Sequence, residues 1–332
     1  MAGEGNPTME KTVPEPLLVA TDLYKIFPLA ATWFARRQLL QAVTGVSLSL
    51  LAGETLGLVG ESGCGKSTLG RLLLALMPPT RGEVRFAGQN LWKLPKDRLR
   101  QLRQKMQIVF QDPYASLNPR LTIRHILEEP YIIHKLGTKQ QRLDWCEKLL
   151  HDVGLPSEAL HRYPHEFSGG QRQRLGIARA LALSPELIVA DEPVSALDVS
   201  VQAQILNLFN SLKEKMGLTY LFISHDLSVI SHMSDRIAVM YLGRLMEVAP
   251  RQRFCHRGLH PYTEALLEAA PDADPGRRLP APRLKGDPPS PLQVPSGCPF
   301  HPRCPEAEPR CRDTFPEFRQ VGPHHWLSCH LR

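Results

Sequence analysis

With 332 residues and 42% hydrophobic content, the chain is long enough to bury one large core or two modest ones. Its 40 basic residues against 33 acidic give a net charge of +7, which a solvated basic surface accounts for and which demands no nucleic-acid partner. No apolar run reaches bilayer length, the N-terminus (Glu4, Glu10, Lys11) lacks a secretory apolar region, and seven cysteines in a chain expected in the cytoplasm do not read as a disulfide framework.

Residues 1–15 are polar and proline-punctuated, a loose tail. Leu17-Leu18-Val19-Ala20 begins a strand, and the alternation from Gln41 to Leu51 predicts a second. Between them Pro28 to Leu40, with Trp33, Phe34, Arg36 and Arg37, reads as a surface loop or a short amphipathic piece. A turn at Ala52-Gly53-Glu54 leads to the apolar run Leu56-Gly57-Leu58-Val59. Then comes Gly60-Glu61-Ser62-Gly63-Cys64-Gly65-Lys66-Ser67-Thr68, followed by the helical run from Leu69. Strand, glycine loop and helix in that order carry the Walker A spacing of Gly60, Gly65, Lys66 and Ser67. Glycines let successive backbone N–H groups curl around phosphate oxygens, and the helix turns its positive end to the same anion. Lys66 can reach the outer phosphates and the Ser67 hydroxyl can ligate Mg²⁺, so a nucleoside triphosphate is the expected ligand.

Further strands are predicted at Gly82 to Phe86 and Gln107 to Phe110, separated by the charged segment Lys96 to Lys105. A mostly helical stretch from about Thr122 to Leu160 breaks near Gly137 and Gly154. Helical spacing returns at Gln171 to Leu183 and Val201 to Lys215, with buried-type strands at Leu187 to Ala190 and Leu218 to Ile223. Strands alternating with helices predict an α/β fold with a largely parallel sheet, helices on its faces and an inserted helical subdomain before residue 165. After Ala270 periodicity ends, and nearly half of the 30 prolines fall between Pro271 and Pro323. Such a segment needs a staple or a surface to lie on.

Several strand ends carry polar groups that suit triphosphate chemistry. Leu187-Ile188-Val189-Ala190-Asp191-Glu192 has the Walker B form, delivering Asp191 to Mg²⁺ and Glu192 to an attacking water. Phe167-Ser168-Gly169-Gly170-Gln171 opens a helix: Ser168 suits an N-cap, and two glycines at a helix N-terminus also suit an anion. Gln111 follows one strand, His225 another, and Ser195-Ala196-Leu197-Asp198 follows Walker B.

Over roughly residues 16 to 250 this order resembles the nucleotide-binding subunit of ATP-binding-cassette (ABC) proteins. The resemblance implies a P-loop ABC cassette with a mixed sheet core over 16–255, a helical subdomain at approximately 112–170 and a C-terminal extension over 256–332. It implies ATP held by the phosphate loop, with Phe27 in the place of the adenine-stacking aromatic and Tyr24 and Trp33 as competitors. It further implies Mg²⁺ at Ser67, Gln111 and Asp191, and hydrolysis by Glu192, with His225 on the γ-phosphate and Gln111 as the Q-loop residue. A second, related ATPase is implied, paired head to tail, so that Ser168, Gly169, Gly170, Gln171 and Asp198 reach the partner's nucleotide.

Cys298, Cys304, Cys311 and Cys329 are separated by five, six and seventeen residues in a segment with little apolar content. Four thiolates suit zinc or an iron–sulfur cluster, with His301, His324, His325 and His330 as further candidates for zinc. His260-Pro261-Tyr262-Thr263-Glu264-Ala265-Leu266-Leu267, Gly286-Asp287-Pro288-Pro289-Ser290-Pro291-Leu292 and the cysteine segment resemble the extension of dipeptide and oligopeptide ABC importer ATPases. Within that family, Pro28 to Leu40 and Gln111 to Pro119 look most like the F-type subunits of dipeptide transporters. The resemblance implies a [4Fe-4S] cluster on the four cysteines. It also implies two membrane permease subunits, an extracytoplasmic peptide-binding protein and a peripheral place on the cytoplasmic face of the inner membrane. Dipeptide, longer peptide, glutathione, haem and nickel complex stay open as cargo. The competing class, a soluble ABC ATPase on nucleic acid, finds no nucleic-acid module here, so no such partner is expected.

Overall fold

The structure, a computed structural model, describes residues 15–29, 38–112, 116–256, 258–269 and 286–332. Trp33 and most of the 1–15 tail lie outside these. The chain begins with β1 (Pro16–Pro28), β2 (Leu39–Leu51), β3 (Thr55–Val59), α1 (Lys66–Leu73), β4 (Arg81–Phe86), β5 (Gln89–Asn90), α2 (Lys96–Gln104) and β6 (Met106–Val109). Then follow α3 (Ile123–Ile133), α4 (Lys139–Asp152), α5 (Gly169–Leu181), β7 (Leu187–Asp191), α6 (Val199–Met216) and β8 (Thr219–Ile223). The last part holds α7 (Leu227–Met233), β9 (Arg236–Tyr241), β10 (Arg244–Pro250), α8 (Arg251–His256), α9 (Pro261–Ala269), α10 (Pro309–Asp313), β11 (Arg319–Gly322) and β12 (His325–Leu327).

Two sheets form where one largely parallel sheet was predicted. β1 and β2 pair antiparallel with several register shifts, and β4 and β5 complete a wholly antiparallel sheet in the order β2-β1-β4-β5. The short link from β4 to β5 allows only antiparallel pairing. The second sheet has the order β11-β12-β10-β9-β3-β8-β7-β6. Its strands from β9 to β6 are parallel and the other three antiparallel. β3, β7 and β8 are buried along their whole length. Their alternation shares them between two cores: Leu187, Val189, Leu221 and Ile223 face the antiparallel sheet and α1, while Ile188, Ala190, Tyr220 and Phe222 face the helices opposite.

Between β6 and α5, helices α3 and α4 close a layer around Leu127, Tyr131, Cys146 and Leu150. Thr138 starts α4 with a reciprocal capping box to Gln141, and Gly137 before it sits at φ +65°. No helix among the described residues is long and apolar enough to cross a membrane.

The proline-rich tail finds its surface on the main sheet. β12 pairs with β10 through Glu247↔Leu327 and Val248↔Trp326, and β11 adds to β12. Residues 319–327 therefore contribute two strands to the sheet that carries the phosphate loop.

Candidate active site

The phosphate loop leaves β3 at Val59, between the parallel neighbours β8 and β9, and Lys66 opens α1. Gly65 sits at φ +109°, and a Cβ there would lie 2.1 Å from the Ala42 carbonyl oxygen, so no other residue fits without moving β2. The Lys66 side chain is buried, and its Nζ donates to the carbonyls of Gly60 (2.7 Å) and Glu61 (3.1 Å).

β7 brings the acidic pair to this loop. The Ser67 hydroxyl donates to Asp191 Oδ1 at 2.8 Å. Burial pushes the Asp191 carboxyl above its ordinary range, against the Ser67 hydrogen bond that lowers it. The chain then bends sharply: Glu192 takes φ +48°, and its N–H donates to the Ile223 carbonyl at 2.9 Å. A non-glycine residue at positive φ is strained, and here the strain turns the carboxylate from the strand end toward the cleft. Gln111 Nε2 donates to Glu192 Oε2 at 3.0 Å, and His225 Nδ1 lies 3.1 Å from the same oxygen. Three groups read separately from the sequence thus meet at one carboxylate oxygen.

An open cleft of about 610 Å³ runs from Phe27 past Ser62, Gly63 and Lys66-Ser67-Thr68 to Gln111, Glu192 and His225. Phe27 lines it, with the Lys25 ammonium 5.1 Å from the ring centroid. Tyr24 does not: its hydroxyl faces Gly45 and the Arg81 guanidinium lies over its ring. Within the loop, Gly60, Glu61 and Cys64 do not line the cleft either. The Glu61 N–H donates to Tyr262 Oη (3.1 Å), and the Cys64 N–H to the Glu61 carbonyl (3.2 Å), so both are occupied inside the protein. Cys64 is buried, and that burial pushes its thiol above its ordinary value.

Ser168, Gly169, Gly170, Gln171 and Asp198 stand apart from the cleft. Ser168 caps α5 reciprocally with Gln171: Ser168 N–H to Gln171 Oε1 is 3.0 Å and Gln171 N–H to Ser168 Oγ 3.3 Å. Gly170 backs onto α6, where a Cβ would lie 2.4 Å from Val201 Cγ1. Asp198 is exposed at the start of α6, without a side-chain capping bond.

The four tail cysteines do come together, lining one small cavity of about 20 Å³ with His260, Phe300 and His301. Burial pushes the Cys298 thiol up to about 12 and Cys304 up to about 11, and also raises Cys329. Yet no group of three or more His, Cys, Asp or Glu among the described residues is arranged to hold a metal ion.

Sequence reasoning missed how the tail is fastened. Glu247, wholly buried on β10, accepts from His325 Nε2 (2.8 Å) and from the N–H groups of Leu259 and His260 (both 3.0 Å). Burial raises its carboxyl, but these bonds outweigh that and hold it below its ordinary range. Arg303, beside Cys304, grips Glu61 of the phosphate loop with two parallel bonds, and Pro291 borders the open cleft. These partners lie tens to hundreds of residues apart, and no local pattern announces them.

A family model described as "ABC transporter" matches residues 43–195, and one described as "Oligopeptide/dipeptide transporter, C-terminal region" matches 246–311. The chain is 53% identical over 321 residues to the oligopeptide transport ATP-binding protein AppF of Bacillus subtilis (strain 168), covering 96% of this chain and 98% of that protein. The chain belongs to the ABC transporter ATPases. This ABC ATPase is also 52% identical over 320 residues to the probable peptide ABC transporter ATP-binding protein y4tS of Sinorhizobium fredii, covering 96% of this chain and 90% of that one. Among solved structures it resembles the dimeric, post-hydrolysis ATP-binding cassette MJ0796 bound to ADP and Pi, with TM-score 0.63 and 30% identity over 73% of this chain and all of that one.

Proposed function

We propose that this ABC ATPase hydrolyses ATP to drive peptide import through a membrane permease. The observation that carries the reading is the 53% identity, along nearly the whole chain, to a protein named for oligopeptide transport. The C-terminal match to the oligopeptide/dipeptide family supports it.

Residues in the cleft, with the buried Asp191 beside it, support this reading. Glycine-loop N–H groups, the α1 N-terminus and Lys66 receive the phosphates. Ser67 Oγ and Asp191 Oδ1, 2.8 Å apart, are a pair of hard oxygen donors that fits Mg²⁺, and Gln111 stands nearby at the cleft. Bound there, Mg²⁺ neutralises charge on the outer phosphate oxygens. Glu192 orients or deprotonates the water, and His225 contacts the γ-phosphate. Phe27 offers its ring to adenine.

Ser168, Gly169, Gly170, Gln171 and Asp198 are exposed or half-buried and outside their own chain's cleft, which supports their serving a second, related ATPase across a head-to-tail dimer. Two permease subunits, an extracytoplasmic peptide-binding protein and a peripheral place on the cytoplasmic face of the inner membrane complete the proposed assembly. In the purified complex, ATP turnover should rise several-fold when peptide-loaded binding protein is added, reporting coupling between distant sites. Turnover indifferent to peptide but responsive to another cargo would reassign the substrate.

For the cysteines the reading is a [4Fe-4S] cluster in preference to zinc. The preference rests on the resemblance of the cysteine segment to the extension of dipeptide and oligopeptide importer ATPases, and the four cysteines lining one cavity support a shared ligand. The raised thiols need a cationic centre to ionise, which either metal supplies. Protein purified without oxygen should carry about four iron and four sulfide per chain, with visible absorption lost in Cys311→Ser. Stoichiometric zinc without iron would reverse the assignment.

A further inference from the structure

The second residue of the phosphate loop, Glu61, puts a carboxylate on the loop that receives the triphosphate, and although it does not line the cleft, a negative charge carried on that loop opposes an anionic ligand unless it is answered. The structure shows how that charge is answered. Arg303 Nη1 donates to Glu61 Oε2 at 2.8 Å and Nη2 to Glu61 Oε1 at 3.0 Å, a two-pronged pair in which the Arg303 side chain is only 7% exposed. Such a fork fixes the orientation of the carboxylate as well as its charge, and at this burial salt screens it little.

The rest of Glu61 is held as firmly. Its N–H donates to Tyr262 Oη and its carbonyl accepts from Lys66 Nζ. Behind these contacts stands one aromatic cluster: the Tyr241 and Tyr262 rings are 4.7 Å apart, and Phe300 packs on both at 5.5 and 5.2 Å. Tyr241 Oη also accepts from Arg303 at 3.4 Å. Phe300 and Arg303 come from the cysteine tail, and Tyr262 from α9. The loop is therefore backed, on the side away from the cleft, by groups from the C-terminal segment.

We propose that Arg303 is a positioning residue for nucleotide binding, holding the phosphate loop through Glu61 and cancelling that carboxylate's repulsion of the triphosphate. Arg303 touches no nucleotide; it acts on affinity through Glu61. The proposal rests on ATP binding by the loop and not on which group the cysteines hold.

The test is the affinity of the full chain for a fluorescent, non-hydrolysable ATP analogue with Mg²⁺. Arg303→Gln should weaken binding about tenfold, ~1.4 kcal/mol, as expected for losing charge-assisted bonds. The Michaelis constant should rise in parallel, with turnover at saturating ATP changed less than about twofold, since the interaction is made equally in ground and transition states. Adding Glu61→Gln to Arg303→Gln should recover most of the lost affinity, because the unanswered carboxylate is then gone. A tail that merely props the fold predicts no such recovery. Wild-type affinity in Arg303→Gln, or a double variant as weak as the single one, overturns the proposal. Should Arg303→Gln fail to fold, Arg303→Lys carries the test: it keeps a cation but loses the fork, so affinity should fall about threefold, and unchanged affinity would overturn the proposal.

Discussion

Glu192→Gln is expected to keep ATP binding and lower turnover by about 10³-fold, within the range for removing a general base. The carboxylate stands at the end of β7, turned by a positive φ, and shares one oxygen with Gln111 and His225. Glutamine is nearly isosteric, so Phe27, Lys66 and the glycine loop keep their places and nucleotide still enters. What is lost is the negative oxygen proposed above to orient or deprotonate the water. With ATP bound and uncleaved, two chains bridged by nucleotide should persist as a dimer in gel filtration run with Mg-ATP. Near-normal turnover by the variant would remove Glu192 from the chemistry.

Lys66→Ala is expected to have the second large effect, by a different route. In this structure the ammonium is buried and held by the Gly60 and Glu61 carbonyls, and no carboxylate among the described residues pairs with it. Those neutral partners leave the positive charge to be met by the triphosphate. Deleting it removes charge-assisted bonds to the outer phosphates, each worth about 1.5–3 kcal/mol, so affinity should fall about 100-fold and hydrolysis with it. Isothermal titration with Mg-ATP reads the loss. Wild-type affinity in Lys66→Ala would mean that the cleft lined by this loop is not where triphosphate binds.

The phosphate loop and the acidic pair are legible in the sequence because each is a local arrangement, an apolar strand with its functional residues at the very next positions. The β9–β10 hairpin is not, for two physical reasons. Its two-residue turn, Leu242-Gly243, has both residues at positive φ, and leucine there hides the usual Asn-Gly or Asp-Gly signal. β10 also carries Glu247 in its middle, which breaks an apolar reading; the charge is accommodated by His325 and the 259–260 backbone. The tail strands were hidden for a related reason. β11 and β12 are three or four residues long and gain their stability by extending an existing sheet, so they need no apolar run of their own. α2 read only as a charged segment because Leu102 is its single buried side chain among described residues. Among the site residues, Gln111 and His225 were singled out only through family resemblance, since each alone is an ordinary strand-end polar group, and their meeting at Glu192 is visible only in the structure. Arg303 was out of reach either way, as its partner lies 242 positions earlier.

The most direct measurement is uptake of labelled peptide into vesicles that hold the reconstituted permease, both ATPases and internal Mg-ATP, with peptide-binding protein outside. Wild-type vesicles should accumulate peptide against its gradient, and vesicles with the Lys66 ammonium deleted from this chain and its counterpart from the partner ATPase should not. Equal accumulation in the two would contradict the account, because peptide would then be moving without the triphosphate that this loop is built to hold.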